Sequence, residues 1–288
     1  MENRSIAILM ATYNGADYLS CQIESIIAQT NHNWHLYVHD DGSTDETLLI
    51  LNDYKKKYPK LITILEYPSQ GGACRNFMSL LKEVNSDYYM FSDQDDYWHV
   101  DKVQTMIDRM YSVENKNDGK PVVVNCDLRV VDENLTVLHD SFFSYSKINP
   151  DLIVDFSDYV QNVVTGCAML FNLQARNVAL SYNSKYILMH DSWIMLRTVA
   201  EGGIRSTVYK KLVDYRQHSS NVLGAQDGNR FTIAYRISHV FSMICLNYNH
   251  FKMMHAAGNL SLLGYLKAKM RYRKLISKKF SYCDDIGN

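Results

Sequence analysis

The chain has no excess charge of either sign. Its 30 Lys and Arg balance 31 Asp and Glu, a formal net charge of -1, which argues against a general nucleic-acid binder. No pair among its six cysteines, at positions 21, 74, 126, 167, 245 and 283, has metal-ligand or redox spacing. In a chain of 288 residues that pattern predicts reduced, mostly buried thiols and a cytosolic setting. There is no apolar run approaching the ~18 residues that a membrane span needs. The stretch between Arg4 and Thr12 is too short for the apolar core of a signal peptide, so none is expected. Internal repeats and low-complexity linkers are also missing. No G-x-G-x-x-G follows the first apolar run, which disfavours a nicotinamide dehydrogenase. Ala11-Thr12-Tyr13-Asn14-Gly15 has neither the glycines nor the cation of a nucleotidyltransferase loop.

What is present is an alternation of short apolar runs and amphipathic segments over residues 1–125, the pattern of a parallel sheet with crossover helices. Ser5 to Met10, Trp34 to Val38, Leu61 to Leu65 and Tyr88 to Phe91 read as strands. Leu19, Ile23, Ile26 and Ile27 share one helical face, as do Phe77, Leu80, Leu81 and Val84. Between them Ser43 and Glu46 form a capping box for a helix burying Thr47, Ile50, Leu51, Tyr54 and Tyr58. Beyond Pro121, Val122 to Asn125 is a further strand, and Val163 to Phe171 reads as a buried one. Ser141 to Asp158 is irregular and aromatic-rich, which suits a substrate-facing segment. From Arg230 the chain turns helical, with a sticky stretch from Phe231 to Phe251. Seven basic residues and no acidic one lie between Lys267 and Lys279, interleaved with apolar residues. Such a helix is either solvated or suited to an anionic membrane surface.

Three polar clusters each follow a strand: Thr12-Tyr13-Asn14, Asp40-Asp41, and Asp93-Gln94-Asp95-Asp96. In a parallel sheet those ends line one edge, where ligands bind. Carboxylates as dense as those at 93–96 repel one another unless a cation sits among them. Mg²⁺ or Mn²⁺ suits such oxygens and shares its coordination sphere with substrate phosphates.

These clusters, with Gly71 to Phe77, Thr165-Gly166-Cys167, His190-Asp191-Ser192-Trp193 and Tyr215-Arg216-Gln217-His218, resemble the family-two glycosyltransferases. The branch most similar comprises bacterial rhamnosyl-, galactosyl- and glucosyltransferases of surface polysaccharide (O-antigen or capsule) synthesis. The resemblance implies a GT-A fold: α/β, with a Rossmann-like, mostly parallel central sheet flanked by helices and a C-terminal helical extension. It further implies a GT-A domain over 1–224, divided into a nucleotide-sugar half (1–125) and an acceptor half (126–224), followed by a helical region over 225–288. The implied reaction is inverting, metal-assisted transfer from a UDP- or dTDP-sugar to a hydroxyl of a lipid-linked glycan. The chain would then sit peripherally on the inner face of the plasma membrane, through contacts over 264–280.

Residue by residue, the resemblance makes Asp95 a metal ligand, with Asp93 nearer the ribose and His218 as a further ligand. Asp96 is a third acidic candidate, or else the cap of a helix beginning near Tyr97. Asp40 and Asp41 match the nucleobase and ribose pair, or else a turn and cap. Thr12, Tyr13, Asn14 and Gln94 are placed along the donor, Tyr13 as an aromatic platform or as core. Arg75 grips phosphate or the donor sugar, or pairs with a nearby aspartate. Arg216 clamps phosphate from a loop beyond the sheet. Asp191 is the general base. His190 stands where the family often has an acidic residue and is placed with Trp193 on the acceptor side, Trp193 against a sugar ring or in the core. The alternative of another class is a nucleotide-binding scaffold that kept the fold and lost turnover.

Overall fold

A computed structural model describes residues 4–182, 184–218 and 240–279. Its first half alternates as the apolar pattern predicts: β1 (Ile6–Thr12), α1 (Ala16–Ile27), β2 (Trp34–Asp40), α2 (Thr47–Lys57), β3 (Ile62–Ile64), α3 (Ala73–Glu83) and β4 (Tyr88–Ser92). There follow β5 (Tyr97–Trp98), α4 (Lys102–Glu114), β6 (Val122–Val131), β7 (Val137–His139), α5 (Phe142–Tyr145), β8 (Met169–Asn172), α6 (Leu173–Leu180), α7 (His190–Ala200) and β9 (Ile204–Arg216). Two further helices, α8 (Val240–Gly258) and α9 (Leu262–Lys279), close the described chain.

The strands form one sheet in the order β3-β2-β1-β4-β8-β6-β9-β5, with β7 on β6. β3, β2, β1 and β4 run parallel, whereas β8 runs antiparallel to both β4 and β6. The sheet is therefore parallel in its first half and mixed beyond it. Alternation along β1 feeds two cores. Ala7 and Leu9 face Phe77, Phe91, Phe171 and Trp193 on one side. Ile6, Ile8 and Met10 face Ile23, Leu36, Trp98 and Met106 on the other. Burial of each such large side chain contributes roughly 1.5–3 kcal/mol.

Four local expectations are corrected. The capping box is not formed: α2 starts at Thr47 behind Glu46, whose side chain makes no cap, the Thr47 N–H donates to Asp45 Oδ1 at 3.0 Å, and the Ser43 hydroxyl donates to Asp40. No helix starts near Tyr97, which enters β5; the helix begins at Lys102. The run Val163 to Phe171 is a strand only from Met169, because Gly166–Ala168 forms a 3-10 turn. Arg216 does not follow the sheet but ends β9, paired with Val131 of β6. Of the sticky stretch from Phe231 to Phe251, only the part from Val240 lies among the described residues.

Candidate active site

The ends of β1, β2 and β4 meet in register: Thr12 pairs with Asp40, and Met10 with Ser92. Hydrogen bonds then stitch the loops beyond them into one floor. Thr12 Oγ1 donates to Asp40 Oδ1 at 2.8 Å, and Asp40 Oδ2 accepts the Gly42 and Ser43 N–H groups. Asn14, in the left-handed region at φ 46°, bridges to the same turn: its N–H reaches Ser43 Oγ and its Oδ1 accepts from Thr44 N, both at 2.8 Å. Asp41 accepts N–H groups from Gln70, Gly71 and Gly72 and the Ser69 hydroxyl. Burial alone would raise its carboxyl; these donors outweigh burial and lower it. Asp41 thus shapes the glycine loop that opens α3. The oxygens expected on base and ribose are heavily engaged in holding loops, and Thr12 is 1% exposed, which corrects its place along the base. Tyr13, by contrast, is 57% exposed, so the core alternative for it falls.

Gln94 locks the first and third loops together. Its Oε1 accepts from Tyr13 N at 2.9 Å, and its Nε2 donates to Tyr13 O at 3.0 Å. The lock depends on Gly15, where a Cβ would lie 2.2 Å from Gln94 Oε1. Gly15→Ala should therefore cost about 1–3 kcal/mol through overpacking. Chemical denaturation checks this, and Gly15→Ala combined with Gln94→Ala should recover part of the loss.

The acidic loop divides into two layers. On the outer one, Asp95 Oδ2 lies 2.8 Å from His218 Nε2, and the His218 ring sits on Tyr18 with centroids 4.7 Å apart. On the inner one, Asp93, Asp96 and the Cys167 thiol cluster within 4.8 Å. The three residues expected as ligands do not form one group: Asp93 belongs with the inner layer, Asp95 and His218 with the outer. Asp96 is fully buried, with Oδ1 accepting from Arg216 N and Oδ2 without a partner. Burial, then repulsion from Asp95 and Asp93, raises its carboxyl well above the usual range.

Lys102 lies beneath the inner layer, 0% exposed. Its ammonium donates to Cys167 O at 2.5 Å and stands 3.1 Å from the Trp98 ring centroid. Burial lowers it to about 8, against the pull of Cys126, Cys167, Asp96 and Asp93. Nothing in the sequence marked it, since a Lys after Asp101 at a helix start reads as solvated.

Arg216 is a buried strut, contrary to its expected place on phosphate. Its guanidinium donates to the Asp95 and Glu133 carbonyls and lies 4.7 Å from the Tyr18 ring centroid. Arg75 is exposed in the first turn of α3 and, among the described residues, makes no hydrogen bond or ion pair, so its expected aspartate partner is not found.

Asp191 opens α7 and is buried. Ser192 N donates to its Oδ1 at 2.5 Å, and the Gly166 N–H and the Asn162 side chain also donate to the carboxylate. Burial still wins, raising the carboxyl to about 6. Asp191 is close enough to Asp93 to raise that carboxyl in turn, behind burial and Asp95. Gly166 is required here, because a Cβ would lie 2.8 Å from His190 Nε2. His190 and Trp193 are corrections. His190 is buried between Phe77 and Phe91, ring centroids 4.3 and 4.6 Å away, and burial lowers it to about 3. Trp193 is 0% exposed, its Nε1 donating to Ala179 O at 3.0 Å, so it is core. The i, i+3 spacing from His190 to Trp193 carries both rings inward with α7.

A separate cleft of about 710 Å³ opens at the other end of the sheet, among Arg4, Asp87, Tyr111 and Glu114. There Arg4 is already bonded to Tyr88 and Glu114, which leaves that cleft poorly equipped for an anion.

The family described as "Glycosyl transferase family 2" matches residues 7–176. The dTDP-rhamnosyl transferase RfbG of Shigella flexneri is 45% identical over 103 residues, 34% of this chain and 36% of that protein. The UDP-Glc:alpha-D-GlcNAc-diphosphoundecaprenol beta-1,3-glucosyltransferase WfaP of Escherichia coli is 26% identical over 85% of this chain and 88% of its own. The chain spans about a third of RfbG, and 59% and 57% of two uncharacterized Rickettsia glycosyltransferases. Among solved structures, the mannosyltransferase PcManGT of Pyrobaculum calidifontis, in complex with GDP-Man and Mn2+, aligns with TM-score 0.55 at 16% identity, covering 96% of this chain and 76% of that one. S. aureus TarS 1-349 in complex with UDP aligns with TM-score 0.54 at 16% identity over 74% and 60%. At such identities these two speak for the fold.

Proposed function

Because the chain belongs to glycosyltransferase family 2, we propose that it transfers a sugar from a UDP- or dTDP-sugar to a hydroxyl of a glycan in surface polysaccharide synthesis, with inversion at the anomeric carbon. The observation that carries this reading is the placing of a buried carboxylate, Asp191, beside the acidic loop at the strand ends. In the reaction the acceptor oxygen bonds to the anomeric carbon as the bond from that carbon to the nucleoside diphosphate breaks. The acceptor proton passes to Asp191, whose raised basicity suits it to accept one near neutral pH. Tyr13 offers an exposed ring for the base, and Arg75, which makes no hydrogen bond or ion pair among the described residues, a cation for the diphosphate.

Asp95 and His218 fit a divalent cation: a carboxylate oxygen and an imidazole nitrogen already converge to 2.8 Å at the rim of the acidic loop. Such a cation would supply neutralisation of charge on the departing diphosphate. The names of WfaP and RfbG support a lipid-diphosphate-linked acceptor and a choice between UDP and dTDP donors. With that acceptor, the enzyme works peripherally at the inner face of the plasma membrane.

The test is a thermal-shift screen against UDP, dTDP, GDP and CMP with and without Mn²⁺. A nucleotide at a thousandfold excess over its Kd should stabilise the protein by roughly 4 kcal/mol. Metal-dependent stabilisation by UDP or dTDP is expected. No response to any nucleotide overturns the reading, and binding without turnover of any donor leaves the scaffold alternative in its place.

A further inference from the structure

Helix α9 presents two opposite apolar faces. At about 100° per residue, Tyr265, Ala268 and Tyr272 fall on one side and are buried against the core. Leu262, Leu263, Leu266 and Met270 fall on the other, each between 49% and 63% exposed. A helix that has already docked one face on the core has no need of a second apolar stripe for folding. Exposed Lys267 and Arg273 lie on or beside that stripe, and no Asp or Glu occurs anywhere from Val240 to Lys279. On the adjoining helix α8, Ile244, Leu246 and Tyr248 are exposed as well. Among the described residues no helix is long and apolar enough to cross a membrane.

We infer that the outer face of α9 is a docking surface for an anionic lipid bilayer. The apolar stripe enters the headgroup–acyl boundary while the flanking cations meet lipid phosphates. A second copy of this chain fits less well, because a two-fold contact through α9 would set the same cations against one another. The helix is also fastened to the site. Arg271 pairs with Asp158 and reaches Ser157 Oγ at 3.3 Å. Phe156 packs so closely under Gly258, at the end of α8, that a Cβ there would lie 2.6 Å from its ring. The segment held in this way leads directly to Asn162, a donor to Asp191. The docking helix and the strand of chain that steadies the base are thus tied together. This inference deepens the lipid-linked acceptor reading but needs no turnover for its test.

The experiment is co-sedimentation of the full chain with phosphatidylglycerol-containing and pure phosphatidylcholine vesicles at low and high salt. Binding should be at least about tenfold tighter to the anionic vesicles, since each cation near the surface contributes roughly fivefold. High salt should weaken it. Leu266→Glu with Met270→Glu should lower binding at least about tenfold. Leu49→Glu, on the exposed face of α2, should leave it unchanged. Should the first pair fail to fold, Lys267→Glu with Arg273→Glu gives the same readout through charge alone. Equal binding to both vesicle types, variants that bind like wild type, or a solution dimer that the Leu266/Met270 pair dissociates would each overturn the inference. Failure of the donor screen with vesicle binding intact would overturn the transferase reading and leave the docking surface standing.

Discussion

Asp191→Asn should lower kcat by about a hundredfold to ten-thousandfold, the range supplied by a positioned general base, while making the folded protein more stable. Both effects come from the same burial. In the folded state the Asp191 carboxyl is raised to about 6 from its ordinary value of 3.8, a difference worth about 3 kcal/mol between its two protonation states. The folded chain therefore holds this proton more tightly than the unfolded one. The stability linked to the proton is fully present below the unfolded value and is lost as pH rises through about 6. At neutral pH the buried carboxylate is charged and costly, and an amide of the same shape is not. Asn can accept from Ser192 N and Gly166 N, and Asn162 can turn its own carbonyl toward the new NH₂. The net gain should be about 1–2 kcal/mol, or roughly 2–6 °C in Tm at this chain length. Thermal melts of both proteins across pH decide the matter. The difference should be largest near pH 8 and shrink toward zero by about pH 4. In wild type the acid limb of kcat/KM should fall near pH 6, where Asp191 takes up its proton. A variant that loses activity with no gain in stability at any pH would mean that Asp191 is not the strained group described here.

The part of this arrangement that was legible in the sequence is the part set by periodicity. The four leading strands, the three helices between them and the gathering of Thr12, Asp40 and Asp93 at one sheet edge follow from apolar spacing and the rule for parallel sheets. What periodicity cannot report is which polar atoms are spent on the fold. Asp40, Asp41, Asn14 and Gln94 have the residue types of a binding loop, yet their side chains satisfy backbone N–H groups of neighbouring loops. Arg216 has the chemistry of a phosphate clamp and serves backbone carbonyls. Lys102 was invisible because burying an ammonium is costly and rare, and only a three-dimensional cluster of two carboxylates and two thiols compensates it. Asn162 gave no signal either, since the Asn162–Asp191 contact joins distant parts of the chain. His190 and Trp193 misled for the opposite reason: beside a catalytic aspartate, aromatic side chains suggest substrate, but the period of α7 turns both toward the core.

Asp95→Ala should weaken Mn²⁺ affinity by at least about a hundredfold, whereas Asp96→Asn should change it by less than about threefold. The choice between the two layers of the acidic loop rests on charge. Asp93, Asp96 and Cys167 are the three potential ligands that stand closest together among the described residues, and ligand geometry alone would favour them. But the Lys102 ammonium already lies against the Cys167 carbonyl, within the attraction of both aspartates. A second cation there would be repelled by the first at short range and low dielectric. The inner layer thus carries its own cation as a side chain. At the outer pair Asp95 Oδ2 faces His218 Nε2 at 2.8 Å, and an imidazole nitrogen is itself a common metal ligand. Removing either of two metal-binding side chains should exceed the tenfold to hundredfold cost usual for a mere supporting hydrogen bond. Mn²⁺ titrations followed by electron paramagnetic resonance read this without turnover, in the presence and absence of UDP. His218→Ala should fall with Asp95→Ala, and the pair of substitutions should cost little more than either alone, as expected of side chains sharing one ion. Loss of Mn²⁺ binding in Asp96→Asn or Cys167→Ser, with Asp95→Ala near wild type, would move the ion to the inner layer. Lys102 would then have to leave its place under Cys167 for the ion to enter.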